Sequence, residues 1–173
     1  MKTNKFLKKF LFLGLILVSV SSYAQKKNIV ETAINTDETS TLVAAVKAAD
    51  LVNVLSSEGP FTVFAPINDA FNKLPNGTVA SLLKPENKEA LQNILKYHVV
   101  AGKYNAKDII EMINKGNGKA KIKTVAGGTL EAVIKNGFVY VKDANGNAAK
   151  VTAADLDQSN GVIHVIDKVV LPK

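Results

Sequence analysis

Apolar positions in the first half of the chain recur every three or four residues, the period of a helix with one buried face. Ile29, Val30, Ala33 and Ile34 fit one such face, and Leu42, Val43, Val46 and Ala49 fit another. The polar cluster Asn35 to Thr41 separates them. Thr39 or Ser40 is the expected N-cap of the second helix, because a hydroxyl there can accept from an orphan N–H. Asp50 interrupts the stripe and predicts a bend before Leu51 to Leu55. Glu58-Gly59-Pro60 then turns the chain into a strand, Phe61 to Ala65, which Pro66 ends. A short helix is expected to start within Ile67 and Asn68. A further segment covers Thr78 to Leu83, and a stronger helix opens at Asn87. In that helix Leu91, Ile94, Leu95 and His98 stand at i, i+3, i+4 and i+7 and share one face.

The second half changes period. After a helical patch, Ala106 to Asn114, and a glycine-rich turn, four β-type runs follow: Ala120 to Ala126, Thr129 to Ile134, Phe138 to Lys142 and Ala148 to Thr152. Gly127-Gly128, Asn136-Gly137 and Asp143-Ala144-Asn145-Gly146 separate them. Asn-Gly between β-type runs is a hairpin signal, because both central residues of the turn need positive φ. Val162 to Ile166 is apolar on both faces apart from His164, which predicts a central strand covered on both sides. Helices first and antiparallel strands later imply an α+β domain, with N-terminal helices packed against a β-sandwich-like core.

The N-terminus predicts export. Lys2, Lys5, Lys8 and Lys9 precede an apolar stretch eleven residues long, Phe10 to Val20, and Ser22-Tyr23-Ala24 offers small residues around a cleavage point. Eleven residues fall short of the ~20 that span a bilayer. Residues 1–24 therefore read as a secretory signal peptide, 25–28 as a short polar lead and 29–173 as the domain, with a secreted or periplasmic location. Removing the leader takes four of the 22 basic residues, so 18 lysines face 15 acids and the mature charge is +3. All the basic residues are lysine. Without the planar arginine fork, phosphate and base recognition is disfavoured, so no nucleic-acid partner is expected.

Reactive groups are sparse. The chain holds no cysteine and two histidines, both on apolar faces, and no serine lies in a G-x-S-x-G elbow. No His-x-x-x-His pair exists. The Asp143 to Asn147 run lacks the glycine position and the closing glutamate of a calcium loop. Neither enzyme activity nor a cofactor or metal is implied. Lys119, Lys121 and Lys123 alternate along a strand, which suits a solvated or edge-protecting face and, as the sharper reading, an anionic polysaccharide.

Three segments together resemble the fasciclin domain, an extracellular adhesion and interaction module. The first is Thr62-Val63-Phe64-Ala65-Pro66 followed by Asn68-Asp69-Ala70-Phe71, the second is Tyr97-His98, and the third is Gly161 to Pro172, containing His164. Ile67 stands where the family usually has a hydroxyl residue. Asn68 is therefore expected to cap the helix that follows, and Asn68→Ala to cost roughly 1 kcal/mol. The resemblance implies a Tyr-His pair that is structural, or part of an adhesion surface if Tyr97 is exposed. It also implies a candidate contact loop at Asp155-Leu156, where some animal fasciclin domains carry an integrin-binding Asp-Ile. The lysine-rich sequence and leader look bacterial. The expected function is a monomeric, non-catalytic module that binds an extracellular protein or polysaccharide. The alternative is a carrier for an apolar molecule such as a carotenoid, held in a groove bordered by Phe61–Phe64 and Val162–Val170.

Overall fold

The computed structural model describes residues 26–173, so the expected leader lies outside the described residues. The helical half runs α1 (Ile29–Ile34), α2 (Ser40–Ala48), α3 (Val52–Ser56), β1 (Phe61–Pro66), α4 (Asn68–Asn72), α5 (Thr78–Leu82) and α6 (Lys88–Tyr97). It is followed by β2 (Val99–Ala101), α7 (Ala106–Lys115), β3 (Lys119–Lys123), β4 (Thr129–Lys135), β5 (Phe138–Lys142), β6 (Ala148–Gln158) and β7 (Gly161–Ile166). The architecture is α+β. Asp50 takes left-handed backbone at the expected bend between α2 and α3. Asn136 and Gly137 both have positive φ in the β4–β5 turn, as the Asn-Gly signal requires.

The strands hydrogen-bond in the order β2-β1-β7-β6-β5-β4-β3. Neighbours are antiparallel except β1 and β7, which run parallel from Phe61 beside Gly161 to Pro66 beside Ile166. Apart from Thr62 and His164, both strands are apolar on both faces, so both belong at the centre with a core on each side. Val63, Ala65 and Ile163 face the helices and join Leu42, Val46, Leu55, Leu91 and Leu95 in one core. Phe64 and Ile166 face the other way, into a second core with Leu130, Ala132, Val141 and Ile113.

β6 links the two halves of the sheet. Its first residues pair with β5 and the remainder with β7, and register shifts after Val151 and Ala153 bend it between them. The far edge then folds back: the Val125 N–H, just past β3, donates to the Val99 carbonyl of β2 at 2.8 Å. The sheet thus wraps its own core, with α7 supplying Ile109 and Ile113. Two details depart from the sequence pattern. β2 is three residues long, too short to show a period, and β6 extends to Gln158 instead of ending at Thr152.

Candidate interaction site

Tyr97 and His98 end α6 inside the protein, where they clamp four segments together. The Tyr97 hydroxyl donates to the Thr129 carbonyl at 2.8 Å and accepts from the Ala144 N–H at 3.1 Å. Burial pushes the phenol pKa up, and the nearby Asp143 carboxylate adds to that rise. A β-carbon on Gly128 would stand 2.6 Å from the Tyr97 ring, so only glycine lets β4 approach this closely. Tyr97 is 1% exposed, so the adhesion-surface role that required its exposure is corrected: the residue is a core element.

His98 lies beside it. Its Nδ1 is 2.8 Å from the Ile94 carbonyl, and its Nε2 is 3.2 Å from the Val170 N–H. A carbonyl only accepts and an N–H only donates, so the proton sits on Nδ1. Burial lowers the imidazole pKa to about 4, against the smaller opposing pull of the Ile94 carbonyl and Asp143. Asp143, itself buried, accepts from the Asn145, Asn147 and Leu171 N–H groups. This carboxylate closes the β5–β6 turn and pins the C-terminal segment.

His164 occupies the equivalent role on β7. Its Nε2 lies 2.8 Å from the Tyr104 carbonyl, and its Nδ1 accepts from the Asp155 N–H at 3.3 Å, so this ring carries the opposite tautomer. Burial again pushes its pKa down. Phe64 connects the two histidines. Its ring centroid is 5.6 Å from that of His164, and its N–H donates to the His98 carbonyl at 2.9 Å. Thr62, two residues earlier, is buried. It donates to the Gly102 carbonyl and accepts from the Tyr104 N–H. Pro66 ends β1 in the core.

Asp155 and Leu156 lie within β6, at its irregular stretch, where a contact loop was expected. Asp155 has φ +60°, a conformation that aspartate tolerates better than most residues. Its carboxylate accepts from the Ala106 N–H at 2.7 Å, which ties the bulged strand to the start of α7. Leu156 is 40% exposed. Next to it, hydrogen bonds from Lys103 and Lys26 hold the Asp157 carboxyl down to about 2 and fasten the polar lead to this strand.

The expected cap is also corrected. Ile67 occupies the N-cap position of α4 and makes no side-chain bond there. Asn68 reaches across to α2, accepting from the Thr41 N–H at 2.9 Å and donating to the Asp37 carbonyl. Thr39, at the N-cap of α2, makes no cap bond, so Asn68, 27 positions beyond Thr41 in sequence, fills that role. Asp69 stands exposed in the first turn of α4, where negative charge suits the helix end.

Asn160 is a structural residue that the sequence reading missed. It is buried, accepts from the Ile29 N–H at 3.0 Å and donates to the Leu55 and Ser57 carbonyls. Gly161 follows because any β-carbon there would stand 2.0 Å from the Phe61 carbonyl oxygen. The Asn-Gly pair before a strand was the available signal, and it reads equally well as a plain turn.

An apolar crevice opens among α1, α2, α3 and α6 over Val63 and Phe64. Its volume is about 40 Å³, against the roughly 300–1,000 Å³ of small-molecule pockets. It is not bordered by Val162–Val170, and a carotenoid does not fit it. Among the described residues, every buried side-chain nitrogen or oxygen has a hydrogen-bond partner, and no three His, Cys, Asp or Glu side chains gather as metal ligands. No described helix is long and apolar enough to cross a membrane.

The fold finds counterparts in known proteins. The sequence model of the fasciclin domain matches residues 37–172. The chain is 52% identical over 156 residues to protein sll1483 of Synechocystis sp., covering 90% of this chain and 79% of that protein. It is 44% identical to the uncharacterised protein sll1735 of the same organism, covering 83% and 97%. It is 40% identical to the pig transforming growth factor-beta-induced protein ig-h3, covering 77% of this chain and 17% of that protein. In three dimensions it is similar to a FAS1 domain pair from the insect cell adhesion molecule fasciclin I. The TM-score there is 0.60 with 23% identity, and the match covers 75% of this chain and 43% of that one. With most of its length matched by the family model and by a relative of the same overall size, the chain belongs to the fasciclin domain family.

Proposed function

We propose that this protein is a non-catalytic interaction module, working outside the cytoplasm by presenting its surface to a protein or polysaccharide. The observation that carries this reading is the commitment of both imidazoles. His98 and His164 are the chain's only histidines, and each spends both ring nitrogens on backbone groups inside the fold. Neither nitrogen is free to take a proton from a substrate, so the exterior is the working part. The shared fold with a cell adhesion molecule supports the same reading. Leu156 is the member of the Asp155-Leu156 pair that still offers an apolar contact, since the Asp155 carboxylate is engaged with α7.

Beads coated with residues 25–173 are expected to retain cells, extracellular protein or polysaccharide above bare beads. Retention equal to that of bare beads for all three would overturn the reading. Leu156→Ala is expected to weaken retention of a protein partner without shifting the melting temperature. Export is tested separately: the mass of the protein recovered from its host should correspond to a chain starting at Gln25.

A further inference from the structure

One face of the sheet turns away from both cores. The register places Lys119, Lys121 and Lys123 of β3, Lys135 of β4, Lys142 of β5 and Lys150 of β6 on it together. Glu131 is the face's single acidic residue, and it is shared by Lys119 and Lys142 at 3.8 Å each. Among the described residues, the other four lysines have no carboxylate within ion-pairing distance. Six of the 18 lysines of the mature chain and one of its 15 acids thus gather here, while the rest of the surface is net negative.

The face also has relief. An open depression of about 360 Å³ is lined by Val133, Ile134, Lys135, Tyr140, Lys142 and Ala148. That size falls in the roughly 300–1,000 Å³ range of small-ligand clefts. Its floor is apolar and aromatic, and its rim is cationic. Phe138 beside it is 48% exposed, with the Lys150 ammonium 3.3 Å from the ring centroid.

We propose that this face binds a linear acidic polysaccharide, an assignment that rests on the interaction-module reading and names its partner. The apolar C–H face of a sugar ring stacks on Tyr140 in the depression, and carboxylates along the polymer meet the lysines on both sides. Charge complementarity selects an acidic partner. The absence of arginine and the covered face of Phe138 argue against nucleic acid, which relies on planar forks and open stacking platforms.

The test is affinity electrophoresis of residues 25–173 in gels containing polygalacturonate, with dextran and single-stranded DNA as comparisons. Retardation by polygalacturonate is expected to exceed that by DNA, with none by dextran. Lys121→Gln, Lys123→Gln and Lys135→Gln together should weaken binding roughly tenfold. Lys47→Gln, Lys84→Gln and Lys107→Gln, which change the net charge equally from other surfaces, should leave it within twofold. Tyr140→Ala should weaken binding while Tyr140→Phe restores it, with unchanged melting curves showing that the fold is intact. Equal losses from the two lysine triples, or DNA bound as tightly as polygalacturonate, overturn the proposal. If the polymer is ignored while beads still capture cells or protein, this inference fails and the module reading stands. If nothing is captured, both fail.

Discussion

The Tyr97–His98 clamp and the His164–Asp155 clamp use one device in two settings. In each, a neutral imidazole bridges a carbonyl and an N–H that regular secondary structure leaves without partners. His98 joins the end of α6 to the C-terminal segment, with Tyr97 and Asp143 securing the surroundings. His164 joins β7 to the α7 approach and to β6, whose residues Thr152 to Asp157 are exposed. The chemistry is the same, but water stands at different distances. Breaking the first clamp strands polar groups in a closed core. Breaking the second leaves the bulged strand beside solvent that can partly replace the lost bonds. A hydrogen bond's cost of removal is thus set by what else can reach its partners.

That contrast gives an ordered set of expectations. His98→Ala removes a packed ring and leaves the Ile94 carbonyl and Val170 N–H unpaired, so it should cost about 4 kcal/mol in chemical denaturation. A loss below 1 kcal/mol would show that the clamp closes without the imidazole.

The pH profile comes next. Between about 4 and 6.5 the unfolded chain binds a proton at His98 that the folded chain refuses, so stability rises with pH across that window. Acidification from 6.5 towards 4 should therefore remove up to roughly 3 kcal/mol, with the loss complete below the folded value. His164 contributes in the same direction. His98→Gln should flatten the slope more than His164→Gln does, and equal flattening would contradict the difference between the sites.

His164→Ala should cost about 2 kcal/mol, half the value for His98, because β6 can admit water to the Asp155 N–H. Hydrogen exchange should speed up at Asp155 and around the start of α7 but not at Val170.

The smallest effects belong to the two caps supplied from distant segments. Asp155→Gly keeps the left-handed backbone accessible while removing the bond to Ala106, and Asn68→Ala removes the bond to Thr41. Each should cost about 1 kcal/mol. Exchange should increase at the start of α7 in the first variant and at the start of α2 in the second. Faster exchange in α4 instead would restore the local cap expected for Asn68.

Much of the fold is legible in the sequence alone. The helical stripes of α2 and α6, the Asn136-Gly137 turn and the doubly covered β7 all follow from periods of a few residues, and local sequence carries those periods whole. The burial of His98 and His164 was legible for the same reason, since each shares a stripe with aliphatic neighbours. Tyr97 was open, because a tyrosine at a helix end suits surface and core equally. The structure decided it through a hydroxyl that finds partners on β4 and in the β5–β6 turn.

What local sequence determined, then, was which residues seek burial and where the chain can turn, because side-chain hydrophobicity and backbone freedom belong to each residue and its near neighbours. Only the tertiary structure decided which polar group meets which. It set Asn68 on α2 instead of α4, Asp155 on α7, Asn160 among three segments and six lysines on one face across four strands. Those partnerships depend on strand order and register, which arise when two cores close at once on β1 and β7, and no short stretch of chain contains that information.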